Sequence, residues 1–326
     1  MSDTNPPTTT ADSVVIRASN LHKTYGDTVA VDDLSFSVEA GKIIGLLGPN
    51  GAGKTTTINM LTTLASIDSG TATVAGFDVA ASPHAVRQLI GLAGQSAAVD
   101  EKLTARENLQ LFGRFYKMPK EILANRVEEL VAEFRMGDYA DRPAETYSGG
   151  QRRRLDVVAA LVANPPALFL DEPTTGLDPR SRVEIWDAIT DLAANGAAIV
   201  LTTQYLDEAD KLADEILLID QGNAVARGTP EDLKRGLDSD VLDVRFPSET
   251  ELDKALDIID KTSISSIDRE SWLIRIPVTS DARSSLSILR RIDDANIDLV
   301  DYQLRRPTLD DVFLALTDTS DEGSRR

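Results

Sequence analysis

Cysteine is absent from the 326 residues, histidine occurs only at His22 and His84, and no uninterrupted apolar run approaches the ~18 residues a spanning helix needs. The first absence excludes disulfides and thiolate metal sites, the second leaves little for a histidine triad or metal centre, and the third points to a soluble chain. Positive charge is also short. Lysine and arginine total 34 against 53 acidic residues, for a net charge of -19. A nucleic-acid binder needs a basic patch that releases counterions, so no nucleic acid is expected as main partner, and the acidic excess reads as an aid to solubility. The N-terminus has neither the basic nor the apolar region of a secretory signal, so a cytosolic location is expected.

What is present is ordinary globular material. Hydrophobic residues make up 42%, enough for a sizeable core, and the length predicts two domains, one large and one small. Loose tails are expected at 1–13 and 318–326. Val14 to Ala18, Val29 to Val31 and Leu34 to Val38 read as short strands, the last alternating apolar and serine as a half-exposed antiparallel strand does. Leu89 to Gly94 is a further strand, and Arg106 to Phe134 is helical with a break near Met118 and Pro119. Ala167 to Leu170 and Ala197 to Leu201 are wholly apolar, as parallel strands covered on both faces must be. Between them Arg182 to Ala194 is a helix whose Val183, Trp186, Ile189 and Ala193 share a face, which assigns Trp186 to the core. Ile216 to Ile219 and Ala224 to Ala226 flank a DQGN turn as a hairpin.

These elements set a first domain at 14–239, with a helical subdomain at about 96–160. Past Ser239 the segments Val241 to Phe246, Glu249 to Ile259, Ser263 to Asp268, Trp272 to Pro277, Ala282 to Ala295 and Ile297 to Leu304 run β, α, β, β, α, β. That is the order of a ferredoxin-like split βαβ unit, set at 240–317 and closed by a helix from Thr308 to Leu316. It carries no polar constellation that reads as a binding site, and is expected to dock or to stabilise a dimer.

Three constellations carry chemistry. GPNGAGKT, from Gly48 through Pro49, Asn50, Gly51, Ala52 and Gly53 to Lys54 and Thr55, follows an apolar strand and opens a helix that continues with Thr56. Glycines let a backbone fold around phosphates while the helix N-terminus adds positive potential; Lys54 reaches the β- and γ-phosphates and Thr55 binds Mg²⁺. ALFLDEP delivers Asp171 to the end of a strand, where it can hold Mg²⁺ through water, with Glu172 beside it as acceptor of a proton from attacking water. YSGGQRRR sets Ser148, Gly149, Gly150 and Gln151 at another bare helix N-terminus, suited to an anion shared between two copies. Arg152 to Arg154 read as a solvated or partner-facing stripe.

Taken in order with Gln95 and GLDP at Gly176 to Pro179, these motifs resemble the nucleotide-binding subunit of an ABC transporter over Val14 to about Gly228. The segments Ala93 to Leu109, LTTQYLDEAD and RPTLDDVFLALT resemble the daunorubicin/doxorubicin-resistance ATPase subfamily of drug exporters across nearly the whole chain. The implied fold is α/β, a P-loop ABC ATPase with antiparallel β and helical subdomains plus a small α+β ferredoxin-like domain. The resemblance implies a homodimer sandwiching two Mg²⁺-ATP, with Ser148, Gly149 and Gly150 capping the γ-phosphate held by the other copy's Lys54. It further implies adenine stacking on Tyr25, Mg²⁺ and water sensing by Gln95, and communication across the dimer by Asp178. The implied partner is a separate transmembrane permease, which would hold the subunit at the cytoplasmic face of the membrane.

At Gln204 most members of this family carry histidine, and the subfamily resembles one that uses glutamine. An amide can donate to a γ-phosphate and accept from a neighbour, yet cannot become a cation. Hydrolysis then rests on Glu172. Two other readings remain open, a non-transport ABC ATPase acting on nucleic acid or ribosomes, and a nucleotide-binding regulatory module with little turnover.

Overall fold

The computed structural model describes residues 13–94, 98–237, 239–260, 263–278 and 282–315, in two compact units that part between Arg227 and Gly228. The sequence pattern places this boundary at 239/240. Apart from Ser13, both expected tails lie outside the described residues, as does Gln95.

In the first unit, β1 (Val14–Tyr25) and β2 (Thr28–Glu39) form a long antiparallel ribbon with register shifts near Ala18 and Lys23. The sequence pattern splits β2 at Asp32 and Asp33 and ends β1 at Ala18. Asp33, at φ 52°, sits at an irregularity that masks the alternation, while the pairing continues through it. Next come β3 (Ile43–Leu47), α1 (Lys54–Leu61), β4 (Ser69–Val74), β5 (Phe77–Asp78), α2 (Pro83–Leu89) and β6 (Ile90–Ala93). The expected helical break is real: α3 (Ala105–Phe115) starts at a capping box between Thr104 and Glu107, and α4 (Lys120–Glu133) starts after Pro119.

The unit is completed by α5 (Gly149–Ala160), β7 (Ala167–Asp171), α6 (Pro179–Ala194), β8 (Ala198–Thr202), α7 (Leu206–Leu212), β9 (Glu215–Asp220) and β10 (Asn223–Gly228). The hairpin from β9 to β10 turns at Gln221 and Gly222, both with positive φ (46° and 83°), as a two-residue turn with the right twist demands.

Strands β10-β9-β3-β8-β7-β6 form one sheet, parallel from β9 to β6, and β2-β1-β4-β5 form a second. Along β3, β7 and β8 alternate residues enter two different cores. Ile43, Leu168, Leu170, Ile199 and Leu201 pack with the helical subdomain and α6; Ile44, Leu46, Ala167, Phe169, Ala198 and Val200 pack with α1 and the antiparallel sheet. Both faces are covered, which is why these strands read as unbroken apolar runs. Consequently the C-terminal ends of β3, β7 and β8 lie side by side, where such sheets hold ligands.

One expected core face shifts. The buried stripe of α6 is Ile185, Ile189 and Ala193; Val183 is exposed and Trp186 half-buried, its indole N–H donating to Glu208 at 2.8 Å. Glu208 is fully buried on α7, so Trp186 packs its ring against the core while its N–H satisfies a buried carboxylate.

The second unit opens with α8 (Pro230–Arg235), then β11 (Asp240–Arg245), α9 (Glu249–Ile258), β12 (Ser266–Asp268), β13 (Leu273–Val278), α10 (Ala282–Asp294) and β14 (Asp301–Arg305), and a last helix spans 309–315. Its sheet order, β12-β13-β11-β14, is antiparallel throughout, the split βαβ arrangement expected from the segment order. Leu242, Val244, Ile274 and Ile276 pack against Leu252, Ala255 and Ile292 of the helices.

Candidate functional site

The loop between β3 and α1 takes its shape from two glycines in left-handed backbone. A Cβ on Gly48 (φ 153°) would stand 2.0 Å from the Ile219 carbonyl oxygen, and one on Gly53 (φ 108°) 2.3 Å from that of Ala30. No side chain fits at either position. The Gly222 N–H donates to Ala52 O at 3.0 Å, so the hairpin turn braces the loop from behind. Lys54 is buried and its ammonium donates to Gly48 O at 2.7 Å and Pro49 O at 3.0 Å, closing the loop into a ring. Burial pulls the Lys54 pKa down, and the charges of Glu172 and Asp171 oppose that pull.

Asp171 ends β7 beside this ring. It accepts from the Thr55 hydroxyl at 3.0 Å and from the Thr202 hydroxyl. Glu172 follows with φ 52°, a left-handed conformation that costs a non-glycine residue about 1 kcal/mol. Its N–H donates to Thr202 O at 3.0 Å and Thr202 Oγ1 at 3.1 Å, and its carboxylate accepts from Thr175 Oγ1 at 3.1 Å. Gln204 is exposed just past β8. One cleft is lined by Asn50, Gly51, Gly53, Lys54, Thr55, Thr56, Glu172 and Gln204, so the predicted loop, acid and amide converge. Sequence reasoning missed Thr202, whose hydroxyl donates to the Asp171 carboxylate and whose hydroxyl and carbonyl oxygens accept from the Glu172 N–H; the signal was a polar residue ending an apolar strand, VLTTQ.

Ser148 caps α5 in a box of reciprocal bonds, its hydroxyl accepting from Gln151 N at 3.2 Å and its N–H donating to Gln151 Oε1 at 3.1 Å. That bond pair explains the glutamine at this spacing: its side chain secures the cap. Asp178 caps α6, accepting from the Ser181 hydroxyl at 2.6 Å, from Ser181 N at 3.0 Å and from Arg180 N at 3.1 Å, and these bonds, the hydroxyl's foremost, hold its carboxyl below the usual range. Ser148, Gly149, Gly150, Gln151, Gly176 and Asp178 line a second cleft that shares no residue with the first. Tyr25 lines neither cleft; it is 51% exposed, with the Lys23 ammonium 5.3 Å from its ring centre.

The expected solvated stripe Arg152 to Arg154 is corrected. Only Arg152 fits it, pairing with Glu101 at 2.7 Å at the surface. The Arg153 side chain is 10% exposed and faces Asp156, and Arg154 is engaged with Glu184. Arg153 and Arg154 thus meet backbone carbonyls and acids in place of water.

The chain belongs to the ABC transporter ATP-binding family. The ABC transporter family model matches residues 31–175, and one described as the C-terminal domain of DrrA1-3-like ATP-binding proteins matches 228–317. The chain is 45% identical to the daunorubicin resistance ATP-binding protein DrrA2 of Streptomyces coeruleorubidus, over 94% of this chain and 96% of that one. It is 43% identical to the doxorubicin resistance ATP-binding protein DrrA of Mycobacterium tuberculosis, over 94% of each. A solved ATP-binding subunit of an ABC transporter matches 68% of this chain and 92% of its own, at 28% identity and a TM-score of 0.64. The protein is thus an ABC ATPase, which binds and hydrolyses ATP. Among the described residues no helix is long and apolar enough to cross a membrane.

Proposed function

We propose that this ATPase powers export of a hydrophobic, drug-like compound through a separate membrane permease, working as a homodimer at the cytoplasmic face. The observation that carries this reading is the pair of disjoint clefts in one chain: the Lys54 loop with Glu172, and the Ser148 turn with Asp178. Each is half of an anion site, and a twofold pairing supplies the other half. Export of a drug-like compound is supported by relatives named for daunorubicin and doxorubicin resistance.

In this reading the loop from Gly48 to Thr56 cradles the phosphates, Lys54 balances the γ-phosphate charge, and Tyr25 offers its exposed face to adenine. Ser148, Gly149 and Gly150 of the second copy present the α5 N-terminus to the same phosphate. Asp178 lines that half-site and relays across the dimer. Thr55 Oγ1 and Asp171 Oδ2, 3.0 Å apart, are hard oxygen donors that fit Mg²⁺, and among the described residues no cluster of three or more metal-binding side chains competes. Thr55, Asp171 and Gln95 would hold the ion, which neutralises phosphate charge when bound. Glu172 accepts the proton of the attacking water. Gln204, on the same cleft, donates its amide N–H to the γ-phosphate. The second domain serves docking or dimer stability.

Expressed with its permease in inverted vesicles, the chain should take up doxorubicin in the presence of ATP and show drug-stimulated hydrolysis. Purification with ribosomes and no membrane partner would instead favour the non-transport reading. The regulatory reading is tested at Gln204. Gln204→Ala is expected to lower turnover on the order of 10²- to 10³-fold with ATP affinity nearly kept, as loss of one charge-stabilising donor does. Gln204→His should keep activity and add a titration near about pH 6.5 to the rate profile. Unaltered turnover in Gln204→Ala would remove the amide from the reaction.

A further inference from the structure

Arg153 and Asp156, one turn apart on α5, form a buried pair that the proposed roles above do not use. Their side chains are 10% and 2% exposed and lie 3.3 Å apart. Arg153 donates through Nη2 to the carbonyls of Asp171 (2.7 Å) and Glu172 (2.8 Å), through Nε to that of Pro173 (3.0 Å), and through Nη1 to that of Gly94. Asp156 accepts from the Ala98 N–H at 2.7 Å. One pair therefore binds three consecutive carbonyls around Glu172 and the two residues that flank 95–97 in sequence.

We propose that Arg153 and Asp156 are positioning residues for hydrolysis, a clip that fixes the left-handed Glu172 main chain to the helix beginning at Ser148. Thr202 holds the Glu172 N–H from one side, and Arg153 holds its carbonyl from the other. The conformation is unfavourable for glutamate on its own, so it persists only where neighbours over-determine it. The guanidinium suits this task because its planar fork directs donors to several acceptors at once; a lysine ammonium lacks that geometry. Stability alone is a poor reason for the pair, since apolar replacements of buried ion pairs are often neutral or better. The further consequence is that any movement of α5 is transmitted to the Glu172 backbone.

The inference rests on Glu172 as the base, and its test separates the two. The full chain with MgATP is compared with Arg153→Lys and with the double variant Arg153→Met/Asp156→Asn. The double variant leaves no uncompensated buried charge and keeps an acceptor for the Ala98 N–H. Expected are a melting temperature and ATP affinity close to those of the parent, kcat lowered on the order of 10- to 100-fold at unchanged KM, as small misplacements do, and faster amide exchange in peptides covering 171–177. Arg153→Lys should share the kcat loss without the stability change of a lone charge removal. The inference is overturned if the double variant turns over at the parent's kcat, or if exchange at 171–177 is unchanged. Should Glu172→Gln leave turnover intact, the base assignment fails, while the exchange measurement still decides whether the clip holds that backbone.

Discussion

Glu172→Gln should bind ATP as tightly as the parent and hydrolyse it on the order of 10²- to 10⁴-fold more slowly, the contribution of a positioned general base. The substitution isolates one property. Glutamine keeps the shape of the side chain, tolerates the same φ of 52° no better and no worse, and leaves an amide oxygen to accept from Thr175 Oγ1. Lys54 and the glycine loop do not depend on the carboxylate for their hydrogen bonds, since the ammonium is held by the carbonyls of Gly48 and Pro49. Phosphate release and equilibrium nucleotide binding, measured on one preparation, check the split. Turnover equal to the parent's would take Glu172 out of the reaction.

Lys54→Ala and Gly149→Asp should each abolish activity alone and restore it when mixed. The first removes the charge proposed to meet the γ-phosphate. The second adds a carboxylate at the α5 N-terminus, where a Cβ meets nothing within 4 Å and a negative charge suits the helix dipole, so folding is undisturbed while phosphate is repelled. In a twofold dimer each site takes Lys54 from one copy and Gly149 from the other. A mixed dimer then holds one intact site and one doubly damaged site, and random pairing yields about one quarter of the parent's intact sites. Steady-state hydrolysis of the equimolar mixture measures this. A mixture as inactive as its components would mean that both groups act within one chain and that the shared-site dimer is wrong.

Much of this site was legible because its determinants are local in sequence. The glycine spacing from Gly48 to Thr55 follows from backbone geometry that only glycine adopts, and the apolar runs before Asp171 and Gln204 follow from burial on both faces. The ferredoxin-like order of the second domain was read from alternating periodicities alone. What escaped was long-range. Arg153 reaches carbonyls 18 to 59 residues away, and nothing in an RRR run distinguishes the arginine that turns inward from the one that faces water. Thr202 meets Asp171 across 31 residues. Trp186 packs against the core as its spacing implies, but its indole N–H bond to Glu208 could not be read, because that partner lies on another helix.

The left-handed residue at the end of β7 has an evolutionary corollary. A glycine there would relax the backbone and raise the folding free energy by a fraction of a kcal/mol to about one, yet it would delete the carboxylate. With Glu172 as the proposed base, selection for thermal robustness and selection for throughput pull this position in opposite directions. Efforts to harden the protein by relieving strained residues should spare Glu172 and seek their gains elsewhere.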